Sequence, residues 1–363
     1  MVYYVRFLKT PKVQQQKGSF IISTLICITT DLGDSFLAED VDLVLTARGE
    51  SSRVAFERPA KWQASNRELA ITLGPLPPLL AQQSMVLTVQ VPHPQDYIPP
   101  QGPTIPLVVA ATSAPFGPQP TPAEKLILRR IQYSSGDTRS IEIWEETGNS
   151  IARHIWDAGL ATVAYIHKTL VGRGKTTSEE SNNDTGSQIL ALKQVLTTSR
   201  NTPLQVVELG AGCGIVGIAL AQILPNCSVL LTDLPEVREI ITRNINAAQP
   251  ATTSSLRYQD LDWDDPPGNL CSMPIDLILV SDCTYNSDSL PALVSALDRL
   301  IRTSPEAIIL VALKRRHDSE TVFFELMESA GFAAEKDSLL IPSQHDEEDE
   351  IEFYCYSRSV KDI

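Results

Sequence analysis

Short β-branched runs separated by polar turn residues fill the chain from residue 18 to about 110: FIISTLICIT (20–29), VDLVLTA (41–47), LAITL (69–73), MVLTVQV (85–91) and IPLVVAA (105–111). Gly, Pro, Asp and Asn punctuate them and no helical period of useful length intervenes, so the pattern predicts a small all-β sandwich or barrel. The segment ATSAPFGPQPTP (111–122) concentrates four prolines and reads as a semi-rigid linker, which sets a first domain at 1–120 and a second at 121–363.

Beyond that linker the pattern predicts a helix from Pro122, a strand RSIEIWEE, and an amphipathic helix over 151–170 carrying Trp156 and Asp157. The run 172–188, GRGKTTSEESNNDTGSQ, has almost no apolar residue and reads as a mobile insertion. The pattern then changes class. LQVVEL, SVLLTD, SLRYQDLDW, PIDLILVSD and EAIILVALK alternate with helical stretches such as PEVREIITRNINAAQ and SLPALVSALDRLI, the mark of a parallel sheet with helices on both faces. A helix SETVFFELMESAGF and two strands, KDSLLI and EIEFYCYSR, close the α/β part with a hairpin instead of another crossover.

Composition narrows the classes of function. With 43% apolar and 20% charged residues over 363 positions, the chain can bury a core in each of two domains. Its 30 Lys and Arg against 44 Asp and Glu give a net charge of −14, which disfavours phosphate backbones and anionic membrane surfaces and favours a basic protein segment as partner. The six cysteines show no CxxC pair or regular spacing, which suits reduced thiols in a cytosolic or nuclear protein. The apolar run 20–28 is too short to span a membrane and lacks a small-residue cleavage site, so it reads as a strand. The histidines at 93, 154, 167, 317 and 345 lack metal-ligand spacing, and no metal is assigned.

Chemistry concentrates in VVELGAGCGIVGIALA (206–221), a strand, a glycine-rich turn and a helix. Gly210, Ala211, Gly212, Cys213 and Gly214 form a turn whose backbone can approach a ligand closely, with the amides of the next helix behind it. Gly212, Gly214 and Gly217 also satisfy GxGxxG, so the turn alone leaves a dinucleotide open. Asp233, followed by Leu234, stands at the end of the next strand, where a carboxylate accepts hydrogen bonds from a ribose diol of either cofactor type. Glu208 sits in an otherwise apolar strand and needs hydrogen-bonding partners, which the loop amides or a ligand could supply. DLDW (260–263) brings Asp262 and Trp263 to the edge where an adenine would lie, and SDCTY (281–285) ends the fourth strand at that same edge.

In ELGAGCG, the TD after the second strand, the LDW after the third, Asp282 to Tyr285 as DxxY, and WDAG (156–159), the chain resembles the seven-β-strand S-adenosylmethionine methyltransferases. Within them it is most similar to the non-SET protein-lysine branch of methyltransferase-like family 16 type, with an extra N-terminal β domain. The likeness covers roughly residues 123 to 358. It implies a Rossmann-like sheet, S-adenosylmethionine held by Trp156, Glu208, the 210–214 loop, Asp233, Leu234, Asp262, Trp263 and Ser281, and a protein lysine as substrate. Asp282 and Tyr285 would shape the lysine's entry as catalytic residues of a monomeric enzyme. Family members modify elongation factors, chaperones and calmodulin, and a translation factor is the expected target.

Methyl transfer needs a neutral amine, whereas a free lysine with pKa about 10.4 is almost wholly protonated at neutral pH. Asp282 is expected to attract the ammonium and Tyr285 to offer a ring face or hydroxyl, with desolvation lowering the amine pKa. Two other readings stay open: a small-molecule methyltransferase, which would share every cofactor residue, and a binding module that keeps the fold without turnover. SDCTY lacks the NPPY-like proline of adenine-specific nucleic-acid methyltransferases, which argues against nucleic acid.

Overall fold

A computed structural model describes residues 1–49, 55–92, 105–119, 121–132, 140–148, 150–171, 189–265, 268, 270, 273–317, 320–342 and 349–358. The run 172–188, expected as a mobile insertion, lies outside them. The chain divides into two compact units. One holds the described residues up to His154 with Pro342 and Asp349; the other holds Ile155–Ile341 and the residues from Glu350 on.

Among its described residues the first unit is all-β apart from two short helical turns. Its strands are β1 (Tyr3–Gln16), β2 (Ser19–Thr29), β3 (Val41–Gly49), β4 (Ala55–Trp62) and β5 (Leu69–Leu73), then, after the turn α1 (Pro78–Ala81), β6 (Met85–Gln90), β7 (Val108–Val109), β8 (Ala111–Ser113), β9 (Leu126–Gln132) and β10 (Ser140–Glu146). They form a four-stranded sheet, β5-β2-β1-β7, and a six-stranded sheet, β10-β9-β8-β6-β3-β4. Alternate residues of both, among them Val5, Ile22, Ile26, Leu43, Leu45, Leu87 and Ile127, bury one apolar cluster, as strands with a period of two require.

Two elements differ from the sequence pattern. The helix expected from Pro122 is the strand β9, paired residue for residue with β10 from Leu126↔Glu146 to Gln132↔Ser140. β9 also pairs with β8, so the boundary expected at residue 120 falls inside one continuous sheet and the first unit runs on to His154. β1 was not anticipated. Its proline and glutamines hide the alternation, and register shifts between Phe7 and Lys9 and between Lys9 and Lys12 accommodate Pro11 in the pairing with β2.

The second unit follows the expected α/β order. After a turn of 3-10 helix that ends the first unit (Ile151–Arg153), it opens with α2 (Asp157–Val171) and α3 (Leu190–Thr197). β11 (Leu204–Leu209), α4 (Ile215–Ile223), β12 (Cys227–Asp233), α5 (Arg238–Ala247), β13 (Ser255–Asp260), β14 (Leu277–Ser281), α6 (Leu290–Thr303), β15 (Ile308–Leu313), α7 (Thr321–Ser329), β16 (Phe332–Ile341) and β17 (Asp349–Arg358) complete it. The seven strands lie in the order β13-β12-β11-β14-β15-β17-β16. β11 is parallel to β12 and β14, and β14 to β15, whereas β17 runs antiparallel to β15.

Val207, Leu209, Ile278, Val280, Ile309 and Val311 point to one face, against Leu293, Leu297 and Ile301 of α6 and Phe323 and Met327 of α7. The intervening positions of β11 and β12 face α4. Strand order reverses between β11 and β14, and the crevice beyond the carboxyl ends of these two strands is where open parallel sheets bind ligands.

Candidate active site

The turn leaving β11 enters that crevice. Gly210 has φ +64°, and a Cβ there would stand 2.5 Å from Cys283 Sγ and 3.2 Å from Trp263 Cζ2. The segments following β13 and β14 therefore close down on this glycine, and no side chain fits. Gly212 and Gly214 also lie at positive φ, +55° and +81°, and Gly214 leads directly into α4. The turn is tied to its surroundings: Ala211 N–H donates to Thr232 O at 3.0 Å, and the Asn244 amide donates to Cys213 O at 2.8 Å.

Glu208 is 2% exposed and accepts the N–H of Gly217, in α4, at 2.8 Å. Burial pushes its pKa up to about 8; the Gly217 bond opposes the shift and the nearby Asp233 charge adds to it. Its partner is thus an amide of the helix and not of the turn, and Gly217 serves close packing of helix on strand.

Asp233 ends β12 with both oxygens engaged, Oδ2 accepting Gly212 N–H at 2.7 Å and Oδ1 accepting Leu234 N–H at 2.7 Å. Burial raises its pKa, against the pull of those two bonds. Leu234 is exposed, and the Tyr258 hydroxyl reaches its carbonyl at 3.1 Å. Asp262 is exposed and accepts Asp264 N–H at 3.1 Å, shaping the turn that presents Trp263. Trp263 packs against the core from the crevice side.

The end of β14 and the residues after it form the opposite wall. Ser281 Oγ is buried and has no hydrogen-bond partner within the protein, an orphaned polar atom beside Gly159 of α2. Asp282 sits at φ +56°, its N–H bonded to Ala312 O at 2.8 Å. Arg316 grips both oxygens of its carboxylate, so an incoming ammonium would meet a carboxylate already paired with a cation. Cys283 packs its thiol against the backbone of the glycine turn, and burial raises its pKa well above the ordinary value. Tyr285, 55% exposed, stands at the rim with its phenol pKa raised by partial burial.

Trp156 immediately precedes α2 instead of lying within it, and its ring faces the Arg316 guanidinium at 5.5 Å. The next residue, Asp157, is fully buried and accepts Lys314 Nζ at 2.9 Å.

The crevice therefore gathers Trp156, the 210–214 turn, Asp233, Trp263, Ser281 and Asp282, with Tyr285 at its rim; Leu234 and Asp262 stand farther out and Glu208 lies beneath. Sequence reasoning missed Lys314, Arg316 and Glu320, whose buried carboxylate accepts the N–H groups of Arg316 and His317. Their one local signal was weak: KRRH directly follows the fifth strand, whose end meets the same sheet edge, but its partners lie far off in the sequence. Among the described residues no group of His, Cys, Asp and Glu could hold a metal ion, and no helix is long and apolar enough to cross a membrane.

Comparison with known proteins agrees with this architecture. A UPF0665 family protein of Schizosaccharomyces pombe is 25% identical, over 88% of this chain and 91% of its own length. EEF1A lysine methyltransferase 3 of Mus musculus is 32% identical over 49% of this chain and 62% of its own length. Protein-lysine N-methyltransferase EFM6 of Saccharomyces cerevisiae is 25% identical over 56% of this chain and 81% of its own. The family model described as lysine methyltransferase matches residues 135–330, more than half of the chain and most of the sheet that builds the crevice. The chain belongs to the lysine methyltransferase family, and is an enzyme built on its seven-stranded α/β sheet.

Proposed function

We propose that this enzyme transfers a methyl group from S-adenosylmethionine to a lysine side chain of another protein, at the crevice between β11 and β14. The observation that carries the reading is the convergence there of a glycine turn closed by Trp263 and Cys283, the Asp233 carboxylate and an orphaned Ser281 hydroxyl.

These groups fit the cofactor's parts. The Gly210–Gly214 backbone leaves space for a close approach, Asp233 keeps acceptor capacity for a ribose diol, and Trp263, flanked by Leu234 and Asp262, offers a face for adenine. The unpartnered Ser281 hydroxyl and the Trp156 ring are the groups proposed to receive the methionyl end, and Glu208 to support the turn from below. S-adenosylmethionine supplies an electrophilic methyl on a sulfonium. With the cofactor bound, a lysine that has already given its proton to water would attack as the neutral amine, its nitrogen bonding to the methyl carbon as the carbon–sulfur bond breaks and the electron pair stays on sulfur. The protein's task is to align the two and exclude solvent.

A translation elongation factor is the proposed target, supported by the name of the mouse relative. The net charge of −14 suits a basic segment of such a protein better than a nucleic acid. Recognition of the partner is the proposed role of the all-β unit, which carries no catalytic motif of its own in the sequence. The described cysteines are thiols outside any disulfide, which fits work in a reducing compartment, the cytosol or nucleus.

Labelled methyl from S-adenosylmethionine, added with the intact chain to a cell lysate, should enter a discrete protein band and be recovered as methyl-lysine. Asp233→Ala should bind the cofactor at least tenfold more weakly and lose the band. Cofactor binding without any labelled protein would point to a small-molecule acceptor, and no cofactor binding to a module without turnover.

A further inference from the structure

Arg316 sends Nη1 to Asp282 Oδ1 at 2.7 Å and Nη2 to Oδ2 at 2.9 Å. A two-pronged grip is the strongest pairing a carboxylate and a guanidinium can make, and solvent reaches only 12% of the arginine and 5% of the aspartate side chain. The same guanidinium lies over the Trp156 ring. Backbone bonds fix both ends, Asp282 N–H on Ala312 O at 2.8 Å and Arg316 N–H on Glu320 Oε1 at 3.0 Å.

Other charged and titratable groups surround the pair. Asp157 on α2 is matched by Lys314, and Glu320 accepts the Thr284 hydroxyl at 3.3 Å besides its two amides. His317 follows Arg316, the Cys283 thiol and Tyr285 phenol follow Asp282, and Asp233 and Glu208 lie across the glycine turn.

A bare carboxylate on the path of a lysine stabilises the ammonium, the form that cannot attack, and so raises the amine's pKa. A carboxylate already matched by a fixed cation does not. We propose that Arg316 is a positioning residue for the acceptor: clamped on Asp282 and Trp156, it cancels the carboxylate's charge so that the lysine presents itself as the free amine. The inference rests on the reading that this crevice methylates a lysine. It assigns Asp282 a shaping role through Arg316, in place of direct capture of the ammonium.

The test uses Arg316→Gln and Arg316→Lys in the full chain. Initial rates into the acceptor band are followed from about pH 6.5 to 10, the range over which a lysine near its ordinary pKa loses its proton. Arg316→Gln bares the Asp282 charge, so the pH of half-maximal rate should rise by about one unit, the acceptor KM should fall, and kcat at neutral pH should drop about tenfold. Arg316→Lys, which keeps the charge but cannot grip both oxygens, should shift the profile the same way by less than half as much. An unshifted profile in Arg316→Gln, with KM unchanged or raised, would mean a merely structural arginine and overturns the proposal.

A second measurement needs no turnover. n-Butylammonium, a copy of the lysine side chain, should raise the melting temperature of Arg316→Gln and leave the intact chain unmoved. Equal stabilisation of both proteins, or of neither, overturns the proposal, whereas failure of the intact chain to label any acceptor sinks the proposed function. Should Arg316→Gln not fold, Arg316→Lys carries both measurements, with smaller shifts in the same directions.

Discussion

A Cβ added at Gly217 would stand 2.4 Å from Leu231 Cδ2, 2.5 Å from Glu208 Oε2 and 2.9 Å from Val229 Cγ1. Two of these atoms belong to a strand held on both sides, so the helix would have to move. Gly217→Ala should cost about 1–3 kcal/mol, read from chemical denaturation. Beside it, Glu208 holds its proton in the fold up to about pH 8, whereas the unfolded chain releases it near the ordinary 4.5. The folded protein thus binds more protons across that window. The contribution of this group to stability is full below it and is lost as pH rises through it. Glu208→Gln keeps an acceptor for Gly217 and cannot ionise, so it should gain steadily on the intact chain from pH 5 to 8 in melting temperature. Parallel curves would contradict the assignment. The glycines, Glu208 and Asp233 were legible because strand, turn and ligand chemistry lie close together in sequence. Arg316 and Lys314 were not, because their partners Asp282 and Asp157 are 34 and 157 positions away and a run of basic residues after a strand looks like a solvated edge.

At the scale of elements, the hairpin β9–β10 carries a buried ion pair, Arg129 to Glu145 at 2.5 Å, with side chains 0% and 1% exposed. Arg129 also donates to Ala110 O at 2.8 Å and lies over the Tyr4 ring, so it ties the hairpin to the rest of the first unit. Glu145→Ala would strand a guanidinium in the interior and should cost about 3–5 kcal/mol, while Arg129→Met with Glu145→Leu should recover most of that loss. Equal destabilisation by the single and double changes would show that packing, not charge, holds the hairpin. This hairpin explains the misread helix. Thr121 to Lys125 resembles a helix start, and LILRRIQ permits either period; its partner strand decided. The α/β unit was easier to read, since each of β11, β12, β14 and β15 is a short apolar run followed by a helix, whereas β1 hid behind Pro11 and its glutamines.

For the whole molecule, the prolines of 111–122 suggested a border, yet Phe116 bridges to Met85 and Ala123 N–H bonds to Pro11 O, which stitches the segment into the first unit. Proline density marked irregular strand edges there. The cysteines are dispersed over both units, and Cys27, Cys213, Cys227, Cys283 and Cys355 are buried thiols outside any disulfide. Burial raises the thiol pKa of Cys27, Cys227 and Cys283, and that of Cys355 to about 12. Alkylation at pH 8 followed by mass spectrometry should leave these five unmodified in the native protein and label them in denaturant. Rapid native labelling of any of them would reveal local opening. The order of strands also has a consequence for synthesis. β17 lies between β15 and β16 although it follows both in the chain. Until Asp349–Arg358 emerges from the ribosome, the nascent sheet ends on the bare flank of an apolar strand, a surface that other chains can pair with. Messages cut short before that point should therefore yield sticky products dependent on chaperones, even though every residue of the crevice has already been translated.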